Sequence, residues 1–320
     1  MSAARVAVLG RIPERGLELL REVADVWSWH DDAPIADDVR DAQLADADAA
    51  VTLLTNRVDD AFLDAAPRLK IVANVAVGYN NVDVGACARR GVVVSNTPGV
   101  LTDATADLAM ALILMVTRRL AEGERLIRSG EPWKWGMFMM LGSAIQGRQL
   151  GIIGMGGIGQ ALAARARAFG MTIAYQNRSP VAAEVEQRLG VRRLELDELL
   201  ATSDVVSINA PYSPETHHLI DAAALSRMRP TACLVNTARG AIVHEAALVE
   251  ALRNGTIAGA GLDVYEHEPE VDPGLRRLDN AVLVPHLGSA TVETRTAMAE
   301  LAARNVVEVL SGRSPLTAVS

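Results

Sequence analysis

The sequence predicts an α/β protein of two Rossmann-like domains, each a doubly wound parallel sheet, and three observations carry that prediction. Short β-branched runs alternate with longer helical patterns over nearly all of the 320 residues, as parallel strands joined by crossover helices require. At roughly 100–200 residues per domain, that length makes two domains. A Gly-x-Gly-x-x-Gly stands mid-chain between an apolar strand and an Ala-rich helix, so a second sheet begins there.

Composition narrows the possibilities. Half the residues are apolar but only eleven are aromatic (four Trp, four Tyr, three Phe), so the core is expected to be aliphatic and disorder is excluded as the main state. With 31 basic against 39 acidic residues, a net charge of −8 and no local basic patch, nucleic acid is excluded as a partner. The longest apolar run, residues 108–116, is about half of the roughly 20 needed to cross a bilayer, so no membrane span is expected. Residues 5–9 enter a strand directly, with no signal-peptide pattern. Cys87 and Cys233 are far apart and form no CxxC pair, so neither a disulfide framework nor a zinc site is expected. A reducing, cytoplasmic setting follows.

Along the first part, strands are expected at residues 6–9, 50–54, 71–74 and 92–95, with helices at 14–23, 37–44 and 82–89. The aspartate-rich stretch 25–48 reads as a solvated face. Asn96-Thr97-Pro98-Gly99 interrupts regular structure. A long helix follows, capped by Thr102 or Asp103 and running to about Leu120. Residues 133–140, with Trp133 and Trp135, fit neither period. The second series places strands at 150–153, 172–175, 205–209, 233–236, 259–262 and 282–284, with helices notably at 158–169 and 245–253. A final amphipathic helix, about 291–310, is long enough to return to the first domain. The domains are therefore 1–98 with 289–320, and 99–288 inserted between them. Two crossings make a hinge, and the cleft they flank is the expected active site.

The glycine loop specifies a dinucleotide. Gly154 permits the tight turn, Gly156 lets backbone approach a pyrophosphate, Gly159 lets helix and strand pack, and the helix N-terminus favours phosphate. About 20 residues on, NAD-binding sequences need a carboxylate for the ribose hydroxyls. This chain has Asn177-Arg178-Ser179, where Arg178 can pair with a 2′-phosphate and Asn177 and Ser179 can donate to it. NADP(H) is favoured, with NAD(H) possible.

Three later segments put polar groups at strand ends, where open α/β sheets bind ligands: Asn236-Thr237-Ala-Arg239-Gly240, Asp263-Val-Tyr-Glu266-His-Glu268-Pro269, and Pro285-His286-Leu-Gly288. Singly, each has a structural explanation: a helix-start turn, a loop end, a hydrogen-bonded histidine. Together, behind the glycine loop, they closely resemble the D-isomer-specific 2-hydroxyacid dehydrogenases, most nearly the glyoxylate/hydroxypyruvate reductase branch. The resemblance spans essentially the whole chain and includes Thr52-Leu-Leu-Thr55, Val77-Gly78-Tyr-Asn-Asn-Val-Asp83, the stretch from Asn96 to Leu108, and Ala210-Pro-Tyr-Ser-Pro-Glu-Thr216.

The resemblance implies that Arg239 binds the substrate carboxylate and 2-keto oxygen, His286 is the general acid, and Glu268 holds that histidine. As hydride reaches the keto carbon, negative charge grows on the oxygen and a proton must meet it there. A neighbouring carboxylate favours the protonated imidazole, and an arginine adds a fixed, always-charged fork. By the same resemblance the N–H groups of Val77 and Gly78 receive the carboxylate, and Leu53 lines that pocket. Thr105, Gly157, Ile158, Pro211, Thr216, Thr237, Asp263 and Gly288 contact the cofactor. Many relatives carry a larger residue at Gly157. Phosphite-oxidising relatives have lysine at the position of Val77, which sets that activity aside.

The remaining histidines show no metal-ligand spacing, and no metal is expected; His217 and His218 would point apart on a helix. The cysteines read as small apolar fillers. Trp133 and Trp135 are either packing residues or, as the reductase branch implies, part of a homodimer interface that reaches a neighbour's active site. Residues 137–141 leave open whether they wall a roomier pocket. Two activities are compatible with the residues: reduction of a glyoxylate-type or other 2-keto acid, 2-ketogluconate included, and a nicotinamide-sensing regulatory protein on the same fold.

Overall fold

Runs of small and β-branched residues form every central strand. A computed structural model describes residues 4–319. The chain divides into two units, one taking in the chain up to Leu101 and again from Ser289 onward, the other Thr102–Gly288.

In the first unit the elements are β1 (Ala4–Val8), α1 (Glu14–Arg21), β2 (Ala24–Ser28), α2 (Asp37–Leu44), β3 (Ala49–Thr52), α3 (Asp60–Ala65), β4 (Ile71–Asn74), α4 (Val84–Arg89) and β5 (Val93–Ser95). They make a parallel sheet in the order β2-β1-β3-β4-β5. Strands β3 and β4 are buried at every residue, because helices cover both faces, so they read as unbroken apolar runs rather than alternation. One face is packed by Leu44, Phe62, Leu63 and Cys87. The other is packed by Leu17 and Leu20 of α1 with Ala299, Ala302, Ala303 and Val306 of α12 (Val292–Leu310). Thr291 caps that last helix by accepting from the Thr294 N–H at 3.1 Å.

The aspartate-rich stretch departs from expectation twice. It contains β2, an edge strand in register with β1 from Ala4↔Ala24 to Val8↔Ser28; bonded on one side only, it tolerates the exposed Asp25 and gives a weak apolar signal. Asp48 is buried rather than solvated. Its carboxylate accepts from the Arg5 N–H at 3.0 Å and meets Arg68 at 3.2 Å and Lys70 at 3.4 Å. Burial pushes that carboxyl up, but the N–H and the two cations outweigh it and hold it below the usual range.

The second unit begins with α5 (Thr102–Thr117) and α6 (Leu120–Ser129), followed by β6 (Gln149–Ile153), α7 (Gly157–Ala168), β7 (Thr172–Gln176), α8 (Ala183–Leu189) and β8 (Val191–Arg193). It continues with α9 (Leu196–Thr202), β9 (Val205–Ile208), α10 (Ala222–Arg227), β10 (Cys233–Asn236), α11 (Glu245–Arg253), β11 (Gly259–Leu262) and β12 (Ala281–Leu283). The sheet is parallel in the order β12-β11-β10-β9-β6-β7-β8. Strand order reverses between β6 and β9, and a crevice for ligands opens beyond the carboxyl ends at that switch point.

Two expectations fail in this unit as well. The helix from Thr102 stops at Thr117 rather than near Leu120. The Ser143 N–H takes the Thr117 carbonyl at 2.8 Å, and Arg119 turns the chain with φ 55° before α6 starts. Thr102 and Asp103 are the first helical residues, not its cap. Strand β8 was not anticipated; it has three residues, two of them arginine, and pairs only with β7. Among the described residues no helix is long and apolar enough to cross a membrane: α5 holds the longest apolar run but packs inside this unit. Both cysteines are free and buried, and burial pushes their thiols up to about 11 for Cys87 and about 12 for Cys233.

Candidate active site

The glycine loop lies at the switch point. Gly154 follows β6 with φ 95°, and a Cβ there would sit 2.5 Å from the Ala210 nitrogen, so turn and packing both require glycine. A Cβ on Gly159 would lie 2.2 Å from the Gly154 carbonyl oxygen, whereas one on Gly156 would meet nothing within 4 Å. The Gly156 backbone, at the N-terminus of α7, thus faces open space where phosphate could approach. A Cβ on Gly157 would make ordinary contact with Thr102 at 3.5 Å. Ile158 follows in the first turn.

Beyond β7 the loop is built differently from expectation. The Asn177 side-chain oxygen accepts from the Met155 N–H at 2.7 Å, so this residue braces the glycine loop. Its carbonyl accepts from Arg193 at 3.1 and 3.3 Å. Arg178 and Ser179 are exposed. Arg178 shares its surroundings with Glu215, whose carboxyl is held below the usual range by Ser213 first, with Arg178 adding to it. Past β9, Thr216 donates to the Pro211 carbonyl at 3.1 Å and accepts from the Ser213 N–H at 2.7 Å, closing the turn that carries both. Thr237, at the end of β10, has a buried hydroxyl without a partner among the described residues.

The ends of the adjacent strands β10, β11 and β12 deliver the polar groups. Asn236 shapes the first turn: its amide donates to the Arg239 carbonyl at 2.9 Å, and its oxygen accepts from the Ala238 N–H at 3.0 Å. Burial lowers the Arg239 guanidinium from its usual value and the charge of Glu268 partly restores it. A Cβ on Gly240 would fall 1.8 Å from the Tyr265 carbonyl carbon, so the Arg239-Gly240 and Tyr265-Glu266 backbones are packed against each other.

Asp263, fully buried after β11, accepts from the Gly288 N–H at 2.9 Å and from the Leu287 N–H. Burial raises its carboxyl, against the pull of those N–H groups and His286. It therefore fixes the turn in which His286 adopts φ 53°. Thr105 donates to the Gly288 carbonyl at 3.1 Å and ties the same turn to α5. Glu268 accepts from His286 Nδ1 at 2.7 Å through one oxygen and from the Tyr265 N–H at 2.9 Å through the other. His286 Nε2 is left facing away from Glu268. Burial pushes the Glu268 carboxyl up, but His286, the Tyr265 N–H and Arg239 together hold it below its ordinary 4.5.

In the first unit, the Val77 and Gly78 carbonyls accept from the amides of Asn96 at 2.8 Å and Asn74 at 3.0 Å. Leu53 is held by Asn56 at 2.7 Å and Asn81 at 3.1 Å. The bracing role of these asparagines was not read from the sequence; the signal available was a polar residue ending an apolar run, as at Asn74. The histidine pair also differs from expectation: His217 and His218 follow a short turn rather than a helix, and their rings stack with centroids 3.8 Å apart. No group of three or more His, Cys, Asp or Glu side chains suited to a metal occurs among the described residues. Trp133 is 51%, Trp135 77% and Phe138 88% exposed.

A glycine loop of the dinucleotide-binding pattern and, at the strand ends of the same sheet, a histidine held by a carboxylate are the groups that a nicotinamide-dependent oxidoreductase would need. Residues 110–288 match the family model described as "D-isomer specific 2-hydroxyacid dehydrogenase, NAD binding domain". The chain is 49% identical to a glyoxylate reductase of Thermococcus onnurineus, over 99% of this chain and 96% of that one. A solved NADPH-dependent glyoxylate/hydroxypyruvate reductase of Sinorhizobium meliloti, in complex with NADP and malonate, has a TM-score of 0.84 at 38% identity, covering 100% of this chain and 97% of that one. The holo form of Rhodotorula graminis D-mandelate dehydrogenase scores 0.91 at 30% identity, covering 100% and 98%. This chain belongs to the D-isomer-specific 2-hydroxyacid dehydrogenases, which are NAD(P)-dependent oxidoreductases.

The lowered Glu268 carboxyl fixes the sign of a pH test. The group is held below its ordinary 4.5, so it stays mainly ionised above that pH and its protonation adds no acid limb to kcat/KM near neutrality. Glu268→Gln removes the charge paired with His286, and the basic limb of kcat/KM is expected to move to lower pH. A basic limb that does not move contradicts the assignment.

Proposed function

We propose that this protein reduces a small 2-keto acid of the glyoxylate or hydroxypyruvate type to the D-2-hydroxy acid, with NADPH the favoured reductant and NADH usable. The 2.7 Å contact between His286 and Glu268 carries this reading. The residues present fit a dinucleotide: open backbone at Gly156, glycines where a side chain would clash at Gly154 and Gly159, and an unpartnered hydroxyl at Thr237. Thr105, Gly157, Ile158, Pro211, Thr216, Asp263 and Gly288 complete the proposed contacts. When bound, the reduced nicotinamide supplies the hydride.

The chain's own groups supply the rest. Arg239 binds the substrate carboxylate and the keto oxygen, and each charge-assisted hydrogen bond contributes roughly 1.5–3 kcal/mol. His286 gives its Nε2 proton to the oxygen as charge grows there, and Glu268 keeps Nδ1 bonded and its charge compensated. In the oxidative direction His286 takes the proton back. Leu53 and the N–H groups of Val77 and Gly78 are proposed as further substrate contacts; anchoring their carbonyls on Asn96 and Asn74 leaves the N–H groups, which donate to no other described residue, for a carboxylate. The regulatory alternative is not favoured, since the similar curated proteins are glyoxylate reductases.

The preference for NADPH rests on Arg178 and Ser179, with the Asn177 amide nitrogen, and on the missing carboxylate after β7. Initial rates across a panel of 2-keto acids, run with both cofactors, test it. Wild-type protein is expected to favour NADPH with glyoxylate or hydroxypyruvate, and Arg178→Ala to lower kcat/KM for NADPH by roughly 10–150-fold while sparing NADH. A wild-type preference for NADH refutes the cofactor assignment; no oxidation of either cofactor with any keto acid refutes the function.

We also propose a cytoplasmic homodimer. Trp133, Trp135, Met137, Phe138 and Leu141 form one exposed apolar stretch, of the kind that marks an interaction surface, and the free thiols suit a reducing compartment. Sedimentation velocity is expected to give twice the monomer mass, and a monomer for Trp135→Ser/Phe138→Ser; a monomeric wild type contradicts this.

A further inference from the structure

Glu266 and Glu245, two carboxylates outside the proposed chemistry, exchange hydrogen bonds between the loop after β11 and the first turn of α11. The Glu266 N–H donates to Glu245 at 2.9 Å, and the Glu245 N–H donates to Glu266 at 3.0 Å. The second Glu245 oxygen accepts from the Asp272 N–H at 2.9 Å. Glu245 therefore holds the loop that carries Glu268 at two points, residues 266 and 272, one on each side of it. His218 Nε2 donates to the other Glu266 oxygen at 2.6 Å, and the His218 N–H donates to the Ala241 carbonyl at 2.9 Å. Ile220 bridges Val243 in parallel, so the same segment grips the turn after Arg239.

Two like charges would not be placed together without compensation, and the compensation is visible. Burial pushes the Glu266 carboxyl up, but the Glu245 N–H and His218, with His267 adding, hold it below its usual range. His218 is in turn confined by His217, stacked at 3.8 Å, and by His244 at 4.6 Å. His244 accepts the Ala247 N–H at 3.2 Å and caps α11, whose first residue is Glu245. The Glu245–Glu266 and Glu245–Asp272 bonds join the start of α11 to the loop that carries Glu268, and His218 links that loop to the turn after Arg239 through Glu266 and the Ala241 carbonyl.

We infer that Glu245, Glu266 and His218 are positioning residues that clamp the Glu268 loop to the Arg239 turn and so fix Glu268 against His286. This inference rests on the proposed role of Glu268. Glu268 accepts from the reacting histidine through one oxygen and from the Tyr265 N–H through the other, so its distance from Nδ1 depends on where the loop that carries it is held. The charged groups facing the dyad are Arg239 and Asp263, and the clamp variants leave both in place.

The test compares Glu245→Ala, Glu245→Gln and Glu268→Gln with wild type. It follows kcat and KM for glyoxylate reduction across pH, NADPH affinity by fluorescence, and thermal melting. Glu245→Ala is expected to lose about tenfold in kcat, a part of the 10²–10⁴ a general acid contributes, with NADPH affinity within about twofold and a basic pH limb displaced in the same direction as in Glu268→Gln. Glu245→Gln, which keeps one acceptor oxygen, is expected to recover part of both. The Glu266→Gln variant, read the same way, guards against a folding failure of Glu245→Ala. If the limb moves in Glu268→Gln but stays in place in the folded clamp variants, the clamp is refuted while the dyad stands. If it fails to move even in Glu268→Gln, the proposed role of Glu268 fails and the clamp falls with it.

Discussion

The contact between His286 Nδ1 and Glu268, 2.7 Å long, is the interaction on which the rest of the candidate site depends. It joins residues 18 apart in sequence from loops after neighbouring strands, and each partner is aimed by its own backbone device. His286 occupies a left-handed turn pinned by the buried Asp263 carboxylate. Glu268 folds back onto the Tyr265 N–H. A displacement of either turn lengthens the bond and misaims the imidazole; the surrounding hydrogen bonds supply the preorganisation that such chemistry needs.

The sheet makes this economical in residues. Parallel strands present all their carboxyl ends on one side, so β10, β11 and β12, adjacent and in register, bring Arg239, Glu268 and His286 to one edge without any long-range loop. The glycine loop sits two strands further along, after β6 across the switch from β9. Buried asparagines recur at strand ends in both units, Asn74 and Asn236, and in each the side chain bonds the loop that follows. An amide can donate and accept at once, which makes it suited to bracing a turn whose backbone groups would otherwise be unsatisfied.

Legibility followed physical constraint. The glycines of the loop were readable because sterics allow nothing else at Gly154 and Gly159, and central strands were readable because both faces are buried. Edge strands β2 and β8 were hidden by the charges that a one-sided strand tolerates. The break after Thr117 was invisible because its cause, capture of the Thr117 carbonyl by Ser143, lies 26 residues away in sequence. The use of Asn177 to brace the glycine loop and the stacking of His217 on His218 likewise depend on tertiary neighbours. Local pattern reports what a residue can do alone, and these residues act through partners.

The most direct measurement of the central claim is the division of effects between His286→Ala and Arg239→Ala in steady-state reduction of glyoxylate. The account predicts that His286→Ala lowers kcat by about 10²–10⁴ with KM little changed, as loss of a general acid should, whereas Arg239→Ala lowers kcat and also raises KM. Near-normal turnover in both variants would contradict it.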